Sequence, residues 1–191
     1  MTQPNLKWLI ECFLLVSDGP LGIDKIKSAT NCDDAHLIRK AILELSAEYE
    51  TRAGGVCLAE VAGGYQLRTR PEYSEWVKKF LQPPPQRLSQ AALETLAIVA
   101  YKQPIIRSEI EHIRGVESGS ILRMLLERKL IRIAGRKEIP GRPLIYATTR
   151  RFLEVFGLID LKDLPSPKEL AELSEPIVSD TSVNTDYSPK K

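Results

Sequence analysis

Cysteine and histidine are scarce in this sequence, which has 3 cysteines and 2 histidines in 191 residues. Cys12, Cys32 and Cys57 are too scattered to supply the close ligand pairs of a zinc site. His36 and His112 are interpreted as surface residues, because neither has a nucleophile or an orienting partner in a catalytic arrangement. The sequence therefore predicts no metal, no cofactor and no enzyme activity. An odd number of scattered cysteines is typical of a reducing, cytoplasmic setting.

Long apolar runs are also missing. No stretch approaches the roughly 18 residues that a membrane-spanning helix needs, so no membrane contact is expected. The apolar stretch near the start is interrupted by Glu11 and lacks a basic beginning, which argues against a secretory signal. Hydrophobic residues make up 43% of the chain and charged residues 27%, as in ordinary globular proteins.

Charge is unevenly distributed, although the net charge is only +2. Residues 1–82 carry 10 basic and 11 acidic side chains, residues 83–161 carry 13 and 8, and residues 162–191 carry 4 and 6. The middle third is therefore mildly basic, which suits nucleic acid or an acidic partner without choosing between them.

Two breaks predict the domain organisation. Pro83-Pro84-Pro85 reads as a short stiff linker. After Leu164 the sequence is rich in serine, threonine and proline and loses its apolar periodicity. We therefore expect an amino-terminal domain over 1–82, a carboxyl-terminal domain over 86–160 and a flexible tail over 165–191.

The two predicted domains resemble each other. At a constant offset of 84 residues, the same residue types recur at Pro20 and Pro104, Leu21 and Ile105, and Ile26 and Ile110. In each domain, apolar periodicity predicts three helices. The first helices are expected over about 5–17 and 89–101. The residues expected to point inward from the second helices are Ile23 and Ile26, and Ile106, Ile110 and Ile113. Asp33 and Ser118 are candidate N-caps of the third helices.

A hairpin follows each third helix. The first has its turn at Gly63-Gly64, and the second pairs Leu130–Ala134 with Leu144–Thr148. Short helices are expected to close the domains at Ser74–Leu81 and Arg150–Phe156. Three helices and a hairpin make a winged helix, so the fold class is mainly α with small β-hairpin wings (α+β), as two tandem winged-helix domains.

The loop in "GRKEIPGRPLIYATT" looks like a phosphate-binding loop at first. However, the segment from Gly135 to Gly141 is followed by Arg142 instead of the Lys-Ser/Thr pair, and strands flank it on both sides. Phosphate-dependent catalysis is thus the weakest hypothesis. A DNA-binding transcription regulator is the stronger alternative, but the outward faces of the third helices mix arginines with Glu44 and Glu127, which would repel phosphate.

The first helices have more apolar residues than one core needs. In "LKWLIECFLLV", Leu6, Leu9, Ile10, Phe13 and Leu14 are expected to face the core, while Trp8, Leu15 and Cys12 lie on the other side. In "AALETLAIVAY", Leu93, Leu96, Ala97 and Ala100 are expected to face the core, while Ala91, Ala92, Ile98 and Tyr101 widen the apolar surface. Either the closing helices cover these second faces, or another chain does.

Long stretches of the sequence resemble the ScpB family of segregation and condensation proteins. The likeness is most specific in "LSQAALETLAIVAYKQPIIRSEIEHIRGVESGSILRMLLERKLI" and in the wing sequence quoted above, and it extends over about residues 6–165. Small departures are Ile106, where the family often has threonine, and Ala147, where it often has glycine.

This resemblance implies a non-catalytic homodimeric subunit that binds the kleisin ScpA, and through ScpA an SMC ATPase, in chromosome condensation and partition. It implies a cytoplasmic, nucleoid-associated protein that meets DNA indirectly or weakly. Carried onto this chain, the candidate dimer face is formed by Trp8, Cys12, Phe13 and Leu15. The candidate kleisin-binding residues are Leu93, Tyr101, Arg136, Arg142 and Tyr146.

Overall fold

The computed structural model describes residues 5–82, 87–166 and residue 169. The predicted proline linker at 83–85 and nearly all of the predicted tail lie outside these residues. The described residues up to Leu161 form one compact unit.

The first half is a winged helix in which three helices precede a two-stranded antiparallel hairpin and a closing helix. Its elements are α1 (Leu6–Val16), α2 (Ile23–Thr30), α3 (Ala35–Arg52), β1 (Val56–Val61), β2 (Gly64–Thr69) and α4 (Ser74–Leu81). A single 3-10 turn, Pro71–Tyr73, leads from the hairpin into α4.

The second half repeats this order and adds one short strand, giving a three-stranded antiparallel sheet in the order β3-β5-β4. Its elements are α5 (Gln90–Lys102), β3 (Ile105–Ile106), α6 (Arg107–Arg114), α7 (Gly119–Glu127), β4 (Ile131–Arg136), β5 (Leu144–Thr148) and α8 (Arg150–Phe156). The predicted fold class, two tandem winged helices with small β-wings, is confirmed. Both closing helices begin and end at the predicted residues.

The internal repeat is visible in the packing. Leu21 pairs with Tyr65 as an isolated bridge, which is the counterpart of the pairing between Ile105 of β3 and Tyr146 of β5. Leu21 and Ile105 are both 4% exposed. The repeated apolar positions therefore join the helices to the wing in both halves.

Side-chain caps determine where several helices begin. Asn5 accepts a hydrogen bond from the backbone of Lys7 at 2.9 Å at the start of α1. The cap of α3 is Asp34, which accepts from the amides of His36 and Leu37. The prediction of Asp33 is wrong by one residue, because only Asp34 lies within reach of these first-turn amides. Ser118 occupies the predicted N-cap position of α7, but its side chain makes no capping hydrogen bond.

Two cores account for most of the buried side chains. The first core joins α1, α2, α3 and the Leu21 bridge through a cluster formed by Ile10, Leu14, Leu21, Ile26, Ile38, Ala41, Ile42 and Leu45. The second lies where α5 packs against α6, α7 and β5. Its fully buried large side chains are Leu96, Val99, Ile110, Leu122, Leu125 and Ile131.

The structure corrects the predicted inward faces of two helices. On α5, Ala92, Thr95 and Val99 are buried completely, while Leu93 and Ala97 are exposed. On α6, Ile110 is buried and Ile113 is 51% exposed. Both errors concern helices whose apolar residues occur on more than one face, so that periodicity alone does not fix the inward side.

The first hairpin turns one residue earlier than predicted. Val61 pairs with Gly64, so the two-residue turn is Ala62-Gly63. Both turn residues have positive φ, 50° and 65°, as a type I′ hairpin requires. In the second hairpin a bulge between Ile133 and Gly135 shifts the register of β4 against β5.

Candidate partner-binding surfaces

The outward side of α1 carries large apolar side chains. Trp8, Cys12 and Leu15 are spaced along one face of the helix, and all three are exposed, Trp8 by 62% and Leu15 by 76%. We call these three residues the α1 surface. Phe13, which was also predicted for the dimer face, is half-buried and packs against the first core.

Polar contacts hold α1 in place against α3. Lys7 forms an ion pair with Glu48. The Tyr49 hydroxyl donates a hydrogen bond to Glu11 at 2.8 Å. Partial burial, and next this contact with the Glu11 carboxylate, raise the pKa of Tyr49 above its ordinary value. These contacts, made by residues next to the α1 surface, fix the rotation of the helix that carries it.

The closing helix α4 leaves its large apolar side chains exposed. None of its side chains is buried, and Trp76 and Phe80, which are one turn apart, are 69% and 86% exposed. The ammonium of Lys79 lies 5.0 Å from the Trp76 ring centroid, a cation–π contact. One of the two alternatives left open by the sequence was that Trp76 and Phe80 cover the second face of α1, and their exposure in the structure does not support it. In the sequence, Trp76 and Phe80 are four residues apart with Lys78 and Lys79 between them. This pattern is typical of an amphipathic surface helix and could have predicted their exposure.

A second apolar surface lies on α5. Leu93, Ala97 and Tyr101 follow each other at intervals of four residues and are exposed, Leu93 and Tyr101 by 41% each. We call them the α5 stripe. From Leu93 to Tyr101 the stripe extends about 12 Å along the helix, given a rise of about 1.5 Å per residue. This length suits an apolar segment laid along the helix.

The second wing brings the two candidate arginines together. The Arg136 guanidinium donates to the carbonyl oxygen of Arg142 at 3.1 Å, across the mouth of the hairpin. The Arg142 amide donates to Ile139 at 2.9 Å, and Arg142 has a φ of 39°. Arg136 and Arg142 are both exposed. The wing thus carries one guanidinium group at the end of β4 and one in the loop that follows, and a hydrogen bond joins the two residues.

The wing is tied to the helices at two points. Lys137 forms an ion pair of 2.8 Å with Glu109 on α6. At the base of the wing, the side-chain oxygen of Gln103 accepts from the amide of Thr148 at 2.7 Å and from its hydroxyl at 3.0 Å. Since Gln103 follows α5 directly, these contacts place the Tyr101 end of the α5 stripe beside the base of the wing.

Tyr146 differs from the other candidate residues because it lies inside the domain. It is 7% exposed, pairs with Ile105 on one side and lies opposite Ile133 of β4 on the other. Its ring therefore supports the wing from within and offers little surface to a partner.

The structure does not support a phosphate-binding loop, and it gives little support to a DNA-binding helix. Gly135–Gly141 runs from β4 into the hairpin loop, so no helix begins after it as a phosphate cradle requires. On α7, Arg123 and Glu127 are both exposed, and on α3 the same is true of Arg39 and Glu44. Across the described ranges, no group of three potential metal ligands occurs.

The comparison with protein families identifies the chain. A family model described as "Segregation and condensation complex subunit ScpB" matches residues 8–167. The chain belongs to this family. The match includes both winged helices, and the resemblance drawn from the sequence is confirmed.

Curated relatives agree over nearly the whole chain. Segregation and condensation protein B from Syntrophotalea carbinolica is 47% identical over 175 residues, which cover 92% of this chain and 88% of the relative. The protein of the same name from Moorella thermoacetica is 44% identical over 171 residues, which cover 90% of this chain and 87% of the relative.

Solved structures of the family are also similar to the chain. The crystal structure of ScpB from Mycobacterium tuberculosis has 33% sequence identity and a TM-score of 0.39, and covers 83% of this chain and 98% of its own. A crystal structure of a dimer of the ScpB N-terminal domain complexed with an ScpA peptide has 24% identity and a TM-score of 0.37, covering 41% of this chain and 93% of its own. Within the described part of this chain, no helix has the length and apolar character to cross a bilayer.

Proposed function

We propose that the chain is a non-catalytic subunit of a condensin-like SMC complex, in which it binds the kleisin ScpA and pairs with a second copy of itself. In this role it takes part in chromosome condensation and partition in the cytoplasm, at the nucleoid, and reaches the SMC ATPase and DNA through ScpA. Membership of the ScpB family supports the assignment. The single observation on which it depends is the pair of exposed apolar helix surfaces, one in each winged helix.

The second winged helix, over 86–160, is the proposed kleisin-binding domain. The α5 stripe provides apolar contact area along about two helical turns, and Arg136 and Arg142 provide positive charge on the neighbouring wing. A segment with an apolar face and acidic side chains matches both features. Tyr146 contributes by supporting the wing from the core.

The first winged helix, over 1–82, is the proposed dimerisation domain. Trp8 is a large aromatic side chain, 62% exposed at the amino-terminal end of the α1 surface, and exposed aromatic residues of this kind often dominate the binding energy of an interface. A self-complementary interface of this kind is expected in a twofold dimer. Phe13 supports the α1 surface from the core side.

A transcription regulator is disfavoured by both potential DNA-reading elements. The exposed faces of α3 and α7 carry carboxylates beside their arginines, and such faces are poor at neutralising phosphates. The turn of the first wing also offers little side-chain surface to a DNA groove, because Ala62 is only 5% exposed and the other turn residue is Gly63.

Co-purification with ScpA tests the proposal, together with sedimentation velocity of the purified chain. The wild type is expected to sediment as a dimer and to capture ScpA. Trp8→Glu should yield monomers, because it places a charge in the interface, while Leu43→Glu, at an equally exposed apolar position on α3, should remain dimeric. Arg142→Glu should weaken ScpA capture, whereas Arg123→Glu on α7 should leave it unchanged.

A wild-type chain that is monomeric and does not capture ScpA would contradict the proposed function. Wild-type binding with no difference between Arg142→Glu and Arg123→Glu would keep the function but exclude the wing as the contact. Tight, salt-sensitive binding to one duplex sequence without ScpA capture would instead favour the regulator.

A further inference from the structure

The two winged helices are joined by a direct contact at the tip of the first wing. Arg150, the first residue of α8, donates from Nε to the carbonyl oxygen of Ala62 at 3.0 Å and from Nη2 to that of Pro20 at 3.0 Å. One guanidinium thus bonds to two backbone positions of the other half that are more than 40 residues apart in sequence.

Backbone groups complete the contact. The amides of Ala62 and Gly63 donate to the carbonyl oxygens of Leu158 at 2.8 Å and Ile159 at 2.9 Å. The chain can pass the wing tip in this way because α8 ends at Phe156, and the C-cap residue Gly157, with a φ of 69°, turns the backbone away from the helix axis.

A second arginine crosses the contact in the opposite direction. Arg68 of β2 donates to the carbonyl oxygen of Glu154 at 2.9 Å, in the last turn of α8. Carbonyls in the last turn of a helix lack partners within the helix, and a cation there also interacts favourably with the helix dipole. Side chains from both halves therefore contribute to the same contact.

The geometry at the tip leaves little room for other arrangements. Ala62 is almost buried and has a φ of 50°, a left-handed conformation that costs a non-glycine residue free energy. A Cβ added at Gly64 would lie 2.9 Å from the Leu21 carbonyl group and 3.0 Å from Arg150 Nη2. The wing tip is thus shaped to fit against Leu21 on one side and α8 on the other.

We infer that Arg150 is a positioning residue that clasps the first wing to the second winged helix, so that the α1 surface and the α5 stripe are held in a fixed relative orientation. Arg150 lies two residues after the end of β5, the strand that leads out of the second wing, and Pro20 lies in the loop after α1. Arg150 therefore connects the segment that leaves the second wing to the loop that follows α1. This inference does not depend on which partners the two surfaces bind.

Amide hydrogen exchange of the full-length protein, measured by NMR, tests whether the hydrogen bonds of the Ala62 and Gly63 amides depend on Arg150. In the wild type we expect the amides of Ala62 and Gly63 to be protected. Arg150→Ala should raise both exchange rates about tenfold or more, since it removes two charge-assisted hydrogen bonds. The core amides of α3 and α7 should be unchanged, which shows that the variant is folded. Arg151→Ala is the matched control, because the neighbouring Arg151 forms an ion pair with Glu154 on its own helix.

The relative orientation needs its own measurement. Spin labels at positions 40 on α3 and 123 on α7, in a variant without native cysteines and diluted with unlabelled protein, report the distance between the two halves. We expect one narrow distance distribution in the wild type and in Arg151→Ala, and a broad one in Arg150→Ala. Arg150→Lys keeps the charge but not the two-pronged geometry, so we expect it to resemble Arg150→Ala.

Unprotected Ala62 and Gly63 amides in the wild type would overturn the inference. So would an Arg150→Ala variant that keeps the wild-type exchange rates and the narrow distance distribution. A variant that merely lost overall stability would accelerate the core amides as well, which distinguishes a general structural role from a clasp.

Discussion

The carboxylate of Glu109 on α6 lies 2.8 Å from the ammonium of Lys137 on the second wing. Glu109 also accepts the backbone N–H of Ile106 at 3.1 Å, so one side chain both caps α6 and tethers the wing. Lys137 and then this amide hold the pKa of Glu109 below its ordinary value. The pKa of Glu111 is lowered in the same way, first by the amide of Ser118 and then by Arg107.

These two glutamates predict how stability depends on pH. A carboxyl group whose folded pKa lies below its unfolded value, about 4.3, stabilises the fold above that value and loses this contribution as the pH falls through the folded pKa. We expect the free energy of unfolding in urea to decrease between about pH 5 and pH 3, and to do so less steeply in Glu109→Gln/Glu111→Gln. Glu127→Gln, on the exposed face of α7, should retain the wild-type slope. Equal slopes in the double variant and the wild type would contradict the prediction.

Two isoleucines on α6 should differ sharply in their contribution to stability. Ile110 is fully buried, so Ile110→Ala should lower the free energy of unfolding by about 2–5 kcal/mol. Ile113 is three residues away and 51% exposed, so Ile113→Ala should lower the free energy of unfolding by less than ~1 kcal/mol. Chemical denaturation of both variants checks this. Similar losses would mean that α6 is rotated relative to the arrangement described.

The same contrast exists between two phenylalanines of the closing helices. Phe152 on α8 is 3% exposed, and its ring centroid lies 4.8 Å from that of Phe156, with the two rings tilted by 39°. Phe152→Ala should therefore lower the free energy of unfolding by about 3–5 kcal/mol. Phe80 on α4 is 86% exposed, so Phe80→Ala should change the free energy of unfolding by about 0.5 kcal/mol or less. The measurement should be made at low protein concentration. If the Phe80→Ala effect grows with concentration, Phe80 contacts a second chain and not its own domain.

The repeat explains why so much of the fold was predictable from the sequence. Pro20, Leu21 and Ile26 recur 84 residues later, and the equivalent residues occupy equivalent places beside the wing and in the core. Apolar periodicity and turn residues are local signals, which is why the closing helices and β5 were placed correctly.

The inward face of α5 was predicted wrongly for a physical reason. Alanine, leucine, isoleucine and valine occur all round this helix, so several rotations give an equally apolar inner face. The observed rotation buries Thr95, which is tolerated because its hydroxyl donates to the carbonyl oxygen of Ala91 at 2.8 Å. That contact satisfies a polar group that hydrophobicity alone would place outside.

The clasp between the winged helices was invisible to sequence reasoning for another reason. The two arginines of the clasp donate to the backbone carbonyls of Pro20, Ala62 and Glu154, and every residue has such a group. The arginines that donate to them look like ordinary surface charges. The positive φ at the wing tip is the one feature that the sequence indicates, through Gly63. Because Gly64 is also a glycine, the turn was predicted one residue too late.

Gly64 provides the most local test of the packing at that wing. Its Cα lies where an added methyl group would be 2.9 Å from the carbonyl carbon and oxygen of Leu21, and backbone atoms in a hydrogen-bonded bridge yield little. We therefore expect Gly64→Ala to lower the free energy of unfolding by about 1–3 kcal/mol, as overpacked substitutions do. Gly135 of β4 has nothing within 4 Å of an added Cβ, so Gly135→Ala should stay within about 0.5 kcal/mol of the wild type. Urea denaturation compares the two, and exchange at the Ala62 amide should accelerate only in Gly64→Ala, because the new methyl group also presses on Arg150. If Gly64→Ala is as harmless as Gly135→Ala, the first wing does not lie against Leu21 as closely as described.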